Sequence, residues 1–250
     1  MTDVDRYRDR LAKGEPAVGA MCCIPDLLVA EALADRLDMV LLDLQHGAAG
    51  PDQVHALALA IERHGATPFV RVPWNRPEDI MRALDLGAIG IVVPMVETVE
   101  QARAAAGATR YPPLGVRSFG PMRPGSPRPP EANRIVQCFP IIETVTGLAN
   151  VERIVGVDGV DGIFVGAVDL AVSMGFPVAD TYRSDEVRAA VRDIVSATRG
   201  AGKLIVASAR DRAAAEAFFV EVPDVVVADL DKGILLDGAR AAAERWHLDA

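Results

Sequence analysis

The sequence is poor in cysteine, with three in 250 residues: Cys22, Cys23 and Cys138. They form no metal-ligand spacing and leave one over in any disulfide scheme, which speaks against a zinc framework or a disulfide scaffold. All three are expected to line apolar strands as small hydrophobes. Equally absent is any apolar stretch approaching the roughly 18 residues that a membrane-spanning helix needs. The opening MTDVDRYRDR alternates charges where a secretory signal would place a basic start and an apolar run, so a cytoplasmic protein is expected. No long basic run offsets the carboxylates, and the formal charge is −9. That balance argues against a broad footprint for nucleic acid or an anionic membrane surface. A glycine-rich phosphate turn is missing too. The first apolar run is followed by CCIPDLL, where an open doubly wound sheet usually carries its nucleotide fingerprint.

What is present is an alternation. Short β-branched apolar runs are followed by a few turn residues and then by ten or more residues of helical periodicity. Eight runs read as strands, at 17–24, 39–45, 67–73, 90–96, 135–143, 162–168, 203–209 and 224–231. Between them lie helical patterns such as 51–65 and 184–202, the second opening on a Ser N-cap and closing at glycines. Runs such as IVVPMV and GIFVGAV lack polar alternation, as parallel strands covered on both faces do. Eight β/α units in 250 residues, half of them apolar, predict one α/β domain spanning 1–250, a (β/α)₈ TIM barrel.

The polar residues that interrupt these runs gather at the C-terminal strand ends, where barrel enzymes keep their chemistry. Asp43, Gln45 and His46 close or follow the second strand, Arg71 closes the third, and Glu143 ends the fifth. Asp169 follows the sixth, and Asp229 lies near the end of the eighth. Read alone, Glu143 and Asp169 are equally well helix N-terminal carboxylates or ligands of a hard cation. Arg71 is a salt-bridging or an oxyanion-stabilising guanidinium, and His46 a structural or a catalytic imidazole. His55, His64 and His247 sit in helical patterns without evident partners and are read as packing or surface residues.

Several segments together resemble the HpcH/HpaI aldolases, class II metal-dependent pyruvate aldolases related to the citrate lyase β-subunit. They are DLQHG at 43–47, FVRVPWN at 69–75, LDLGAIGIVVPMVETVEQA at 84–102, TRYPPLGVRSFG at 109–120, PIIET at 140–144 and VDGVDGIFVGAVDLAVSMGFP at 157–177. The resemblance implies a barrel of the phosphoenolpyruvate/pyruvate type and a carbon–carbon lyase that makes or breaks 4-hydroxy-2-oxo acids from a pyruvate-like 2-oxo acid and an aldehyde. It implies a divalent cation, Mg²⁺ or Mn²⁺ with Co²⁺ a further candidate, held by Glu143 and Asp169. Such an ion, chelated by the carbonyl and carboxylate oxygens of the substrate, stabilises an enolate as a Lewis acid. In the same pattern Arg71 supplies positive charge at the enolate oxygen. His46 is the base that takes a proton from the hydroxyl, directly or through a metal-bound water. Asp43 orients His46 or Arg71, and Asp85 matches an acid that partners the histidine across a subunit boundary. Gly166 permits close backbone approach, and the amides of Val168 and Asp169 are placed to bind the substrate carboxylate. By the same resemblance the protein is a homo-oligomer, a hexamer in which the C-terminal helix is exchanged between protomers.

Departures from the family pattern bear on the substrate. Ile141 stands where many members have Gln, two residues before Glu143 and so on the same strand face. Gln45 replaces a common Glu beside His46, and Ala171 replaces a Ser. These changes keep two alternatives open besides the aldolase: an oxaloacetate-type decarboxylase or citramalyl/malyl-CoA-type lyase using the same enolate, and a repurposed barrel without catalysis. The segment 112–133, with seven prolines and Arg117, Arg123 and Arg128, is read as irregular, with both its ends at the face opposite the site. It is either a surface excursion or a contact with a neighbouring subunit.

Overall fold

The computed structural model describes residues 5–120, 123 and 125–246; His247 lies outside them. The strands are β1 (Ala17–Cys22), β2 (Met39–Asp43), β3 (Thr67–Arg71), β4 (Gly90–Val93), β5 (Gln137–Ile142), β6 (Gly162–Val165), β7 (Leu204–Ser208) and β8 (Val225–Leu230). All neighbours pair in parallel, and β8 returns to β1 to close the barrel. The helices are α1 (Arg6–Ala12), α2 (Leu27–Arg36), α3 (Val54–Arg63), α4 (Pro77–Asp85), α5 (Val99–Thr109) and α6 (Pro129–Ile135). They continue as α7 (Val145–Ala149), α8 (Val151–Val155), α9 (Ala167–Ser173), α10 (Asp185–Gly200), α11 (Arg212–Phe219) and α12 (Asp231–Glu244).

All eight expected strands form, each within its expected run; five begin at the expected residue, and every one ends one to three residues early. The helix expected at 184–202 is α10, and its Ser184 side chain accepts the Val187 N–H as the N-cap. Two elements depart from expectation. The charged N-terminus folds as α1, whose Tyr7 plugs the lower mouth of the barrel: the ring packs edge-on against Phe69 at 5.1 Å, and the hydroxyl donates to Gln137 at 2.6 Å. The segment 112–133 is not irregular throughout, because its last part forms α6. Pro129 and Pro130 occupy the first helical turn, where a missing N–H costs nothing.

Alternation along each strand divides the core in two. Cys138 and Ile142 face the helices, whereas Phe139 and Ile141 join Met21, Leu41, Phe69, Val92, Phe164 and Val206 in the lumen. Gly90 makes room for the Phe69 ring, since a Cβ there would lie 2.6 Å from ring carbons. The lumen is therefore a packed plug, and a barrel of this kind carries its chemistry at the upper rim.

The lower rim repeats one device. The second residue of an odd strand points its N–H at an aspartate that directly precedes the next strand. Val18 donates to Asp38 at 2.9 Å, Cys138 to Asp161 at 2.8 Å and Ile205 to Asp224 at 2.7 Å. Each acid also meets an arginine: Arg6 and Arg10 at Asp38, Arg110 at Asp161, Arg199 at Asp224. At the matching place on β3 stands Pro68, which has no N–H, and the residue before β4 is Ile89. Asp161→Ala would orphan the Cys138 amide and leave the buried Arg110 guanidinium without its counter-charge, its Thr109 bond remaining, a loss on the order of 2 kcal/mol that a lowered urea midpoint would report. An unchanged midpoint would show the pin to be inert.

A cavity of about 330 Å³ opens at this lower rim between Thr67, Pro68, Ile89 and Arg117. It lies at the opposite end of the strands from the polar cluster.

Candidate active site

The upper rim is built from strand register. Asp43 ends β2 and Arg71 ends β3, and the two residues are direct partners across the ladder. The Arg71 guanidinium docks as a fork on the carboxylate, with Nε on Oδ1 and Nη2 on Oδ2, both at 2.8 Å. Below it, Nη2 touches the Met21 sulfur at 3.5 Å. Asp43 is 1% exposed and also accepts the backbone amides of Gln45 and His46 on Oδ1. Burial pushes its carboxyl up, but the Arg71 hydrogen bonds and charge, aided by those amides, outweigh burial and hold it below the ordinary carboxylate range. Of the two roles open to Asp43, the structure favours Arg71. His46 meets Asp43 only through its backbone N–H, and its imidazole is exposed at the rim.

Across the rim, Glu143 follows β5 and Asp169 lies in the first turn of α9, after β6. Glu143 is 5% exposed, and its Oε1 accepts the Met95 N–H at 2.6 Å. Met95 reaches it from a left-handed backbone, φ 55°, a conformation costing a non-glycine residue roughly 1–2 kcal/mol. Burial raises the Glu143 carboxyl to about 7; the Met95 amide opposes this, the Asp169 charge adds to it, and the Arg71 charge partly relieves it. Asp169 itself is exposed. No side chain caps α9, so its first amides at Ala167, Val168 and Asp169 stay open to the rim.

Gly166 joins the two carboxylates. A Cβ at this position would lie 2.5 Å from the Glu143 Cβ, 2.8 Å from Ile141 Cγ2 and 3.1 Å from Glu143 Oε2. Its smallness is required by packing against β5, a reason different from the close substrate approach expected of it.

A family model for the HpcH/HpaI aldolase/citrate lyase group matches residues 25–222. The chain belongs to the HpcH/HpaI aldolase/citrate lyase family. It is 41% identical over 244 residues to a hydroxypyruvate/pyruvate aldolase of Rhizorhabdus wittichii, covering 95% of this chain and 96% of that one. It is 33% identical over 251 residues to a 4-hydroxy-2-oxo-heptane-1,7-dioate aldolase of Salmonella typhimurium, covering 97% and 95%. Among solved structures, an HpcH/HpaI aldolase/citrate lyase family protein from Burkholderia cenocepacia superposes with a TM-score of 0.86 at 30% identity, covering 98% of this chain and all of that one. The protein is thus an enzyme of an aldolase family built on an eight-stranded parallel barrel.

Set in this HpcH/HpaI barrel, the expected site residues divide into three groups. Asp43, Arg71, His46, Glu143, Asp169, Val168 and Gly166 converge on the upper rim. Ile141 does share the lumen face with Glu143, but at 1% exposure it lies beneath the carboxylate as packing and presents no surface to a substrate. Asp85 ends α4 at the lower rim, where it accepts Arg117 Nη2 at 2.8 Å, far from the site of its own barrel. The Gln45 amide oxygen is buried and has no hydrogen-bond partner among the described residues, and Ala171 is fully buried. Cys22 and Cys138 are buried strand residues as expected. Cys23 instead stands just past β1, with its sulfur 3.8 Å from Asp43 Oδ2. Met95 and Cys23 both went unread in the sequence because one contributes only an amide and the other only a position.

The rim suits a hard divalent cation. Two carboxylates on successive βα units form an all-oxygen donor set, and among the described residues no His, Cys or third acid joins them in a cluster. Burial first, and the Asp169 charge after it, raise the Glu143 carboxyl, and a cation between the two would offset both.

Proposed function

We propose that the protein is a class II aldolase that cleaves or forms 4-hydroxy-2-oxo acids through a pyruvate-type enolate, with Glu143 and Asp169 holding a divalent cation, Mg²⁺, Mn²⁺ or Co²⁺. The observation that carries this reading is the pair itself: a buried, amide-anchored Glu143 raised partly by the charge of an exposed Asp169 on the next unit. When bound there, the cation supplies Lewis-acid polarisation of the substrate carbonyl.

The side chains around that position have separable tasks. Arg71, fixed at two nitrogens by Asp43, presents its remaining donor capacity to the oxygen on which negative charge develops. The open amides of Val168 and Asp169 receive the substrate carboxylate. His46, exposed at the lip of the rim, takes the hydroxyl proton in cleavage and returns it in synthesis. Asp85 acts, in this reading, from a neighbouring protomer; its distance from its own site agrees with that.

We also propose that residues 1–250 work as one barrel domain in a homo-oligomer, a hexamer, with α12 exchanged between protomers. Ile234, Leu235 and Leu236 on α12 are 45%, 64% and 62% exposed, and Asp231 is the buried residue of that helix. An apolar helix so bare of contacts with its own barrel fits packing on a second copy.

Removal of divalent ions with EDTA is expected to abolish retro-aldol cleavage, and added Mg²⁺, Mn²⁺ or Co²⁺ to restore it. Pyruvate release is read with a lactate dehydrogenase couple. Full turnover by the stripped protein would overturn the proposal.

A further inference from the structure

Four carboxylates among the described residues are less than a tenth exposed: Asp38, Asp43, Glu143 and Asp231. Asp38 pins the lower rim, and Asp43 and Glu143 serve the site. Asp231, 3% exposed at the start of α12, has no such role in the scheme above. Its Oδ2 accepts two consecutive backbone amides from the loop after β1, Cys23 N–H at 2.8 Å and Ile24 N–H at 2.7 Å. Its Oδ1 accepts its neighbour's amide, Lys232 N–H, at 2.6 Å. A buried charge held by three backbone amides is a firm anchor, because each of those donors would otherwise be left unpaired.

What the anchor holds is the wall behind half of the site. The Cys23 carbonyl accepts the Ala48 N–H at 2.8 Å, and the Cys23 sulfur lies 3.8 Å from Asp43 Oδ2. A Cβ on Gly47 would approach the Cys23 Cα to 3.2 Å, so the 43–47 turn rests directly on this residue. That turn carries His46 and begins with the Asp43 that grips Arg71. We infer that Asp231 is a positioning residue for the aldol site, acting through the Cys23–Ile24 turn on Arg71 and His46 while leaving Glu143 and Asp169 untouched. The chain of contacts reaches only the β1–β3 side of the rim, whereas the two carboxylates belong to β5 and β6. A displacement of about 1 Å in groups that align a reacting atom is enough to cost up to a hundredfold in rate.

The inference rests on the aldolase reading, and the two fail separately. Wild-type protein that shows no cleavage with Mg²⁺ or Mn²⁺ present defeats the reading; an active wild type with indifferent variants defeats the inference. The experiment compares wild type, Asp231→Ala, Asp231→Asn and Asp231→Glu. It follows retro-aldol kcat and KM, oxalate binding in the presence of Mn²⁺, and Mn²⁺ binding alone by calorimetry. Asp231→Ala is expected to lose on the order of tenfold or more in kcat/KM and to bind oxalate correspondingly more weakly, with Mn²⁺ affinity within about twofold of wild type. Asp231→Asn should recover most of the loss, since one amide oxygen can still accept both the Cys23 and Ile24 amides. Should Asp231→Ala not fold, Asp231→Glu carries the test: it keeps the charge but pushes the turn outward, lowering turnover with Mn²⁺ affinity kept. Wild-type kcat and KM in a folded Ala or Glu variant would overturn the inference. So would Mn²⁺ affinity that falls in step with turnover, the signature of general loosening.

Discussion

Glu143→Gln is expected to lower metal-dependent kcat/KM by about a thousandfold or more, a loss of roughly 4 kcal/mol of transition-state stabilisation. The substitution is nearly isosteric and keeps an oxygen for the Met95 amide, so the fold should persist while the ion loses its buried anionic ligand. The same variant should also change how the metal-free protein responds to pH. In the folded chain Glu143 titrates at about 7, against an ordinary 4.5, so between these values the folded state holds a proton that the unfolded state has released. Stability contributed by this group therefore falls as pH rises through that window, and the penalty, on the order of 3 kcal/mol, is complete above it. Metal-free wild type should melt progressively lower from pH 5 to pH 8, Glu143→Gln should lack that component, and Mn²⁺ should raise the wild-type Tm more at pH 8 than at pH 5. A metal-free wild type and Glu143→Gln with parallel Tm profiles would refute the assignment.

Arg71→Lys is expected to cost about a hundredfold or more in kcat while leaving Mn²⁺ affinity near wild type. Lysine keeps the charge but cannot reproduce the two parallel bonds from Nε and Nη2 to Asp43, so the donor aimed at the reacting oxygen loses its fixed direction. Arg71→Ala adds a second effect. It strands a carboxylate that is 1% exposed, destabilising the fold by about 3–5 kcal/mol at neutral pH. In wild type the folded Asp43 carboxyl lies below its ordinary 3.8, so the stability it contributes is present above that value and is lost as pH falls through the folded one. The destabilisation of Arg71→Ala relative to wild type should accordingly shrink in acid. Asp43→Asn placed on Arg71→Ala should recover stability without recovering activity. A folded Arg71→Lys enzyme with normal kcat would remove Arg71 from the chemistry.

The barrel was legible because its strands are continuous apolar runs covered on both faces, a pattern that survives without any knowledge of partners. α10 was legible from Ser184 at its start and glycines at its end. α1 was not, because its one decisive residue, Tyr7, sits among charges and earns its burial only from Phe69 and Gln137, far along the chain. α6 had a local signal, Pro129 and Pro130 in a first turn, hidden by the prolines before it. In the site, the C-terminal strand ends located Asp43, Arg71, Glu143 and Asp169, but residue types alone left cap and ligand equally open for the last two. Gly166 has in addition a packing reason that the sequence did not show, the side chains of Ile141 and Glu143 against it. Cys23 and Met95 act through backbone or placement, which side-chain identity does not record. The partner of Asp85 within the protomer, Arg117, lies 32 positions away in a segment without periodicity.

The aspartate pins of the lower rim make the two ends of this barrel unlike in symmetry. Asp38, Ile89, Asp161 and Asp224 recur at every second strand, and their carbonyls accept in turn from Thr67, Gln137, Leu204 and Ala17, at 3.0, 2.9, 3.1 and 2.9 Å. That rim has a fourfold rotational repeat whose unit is a pair of strands, broken in chemistry only where Pro68 dispenses with the acid. The upper rim shows no such repeat among the described residues: each side chain of the proposed site occurs once, at or just after the ends of β2, β3, β5 and β6. A ring that locks register pair by pair at one end leaves the loops at the other free to diverge one at a time, so a change of substrate does not require a change of frame.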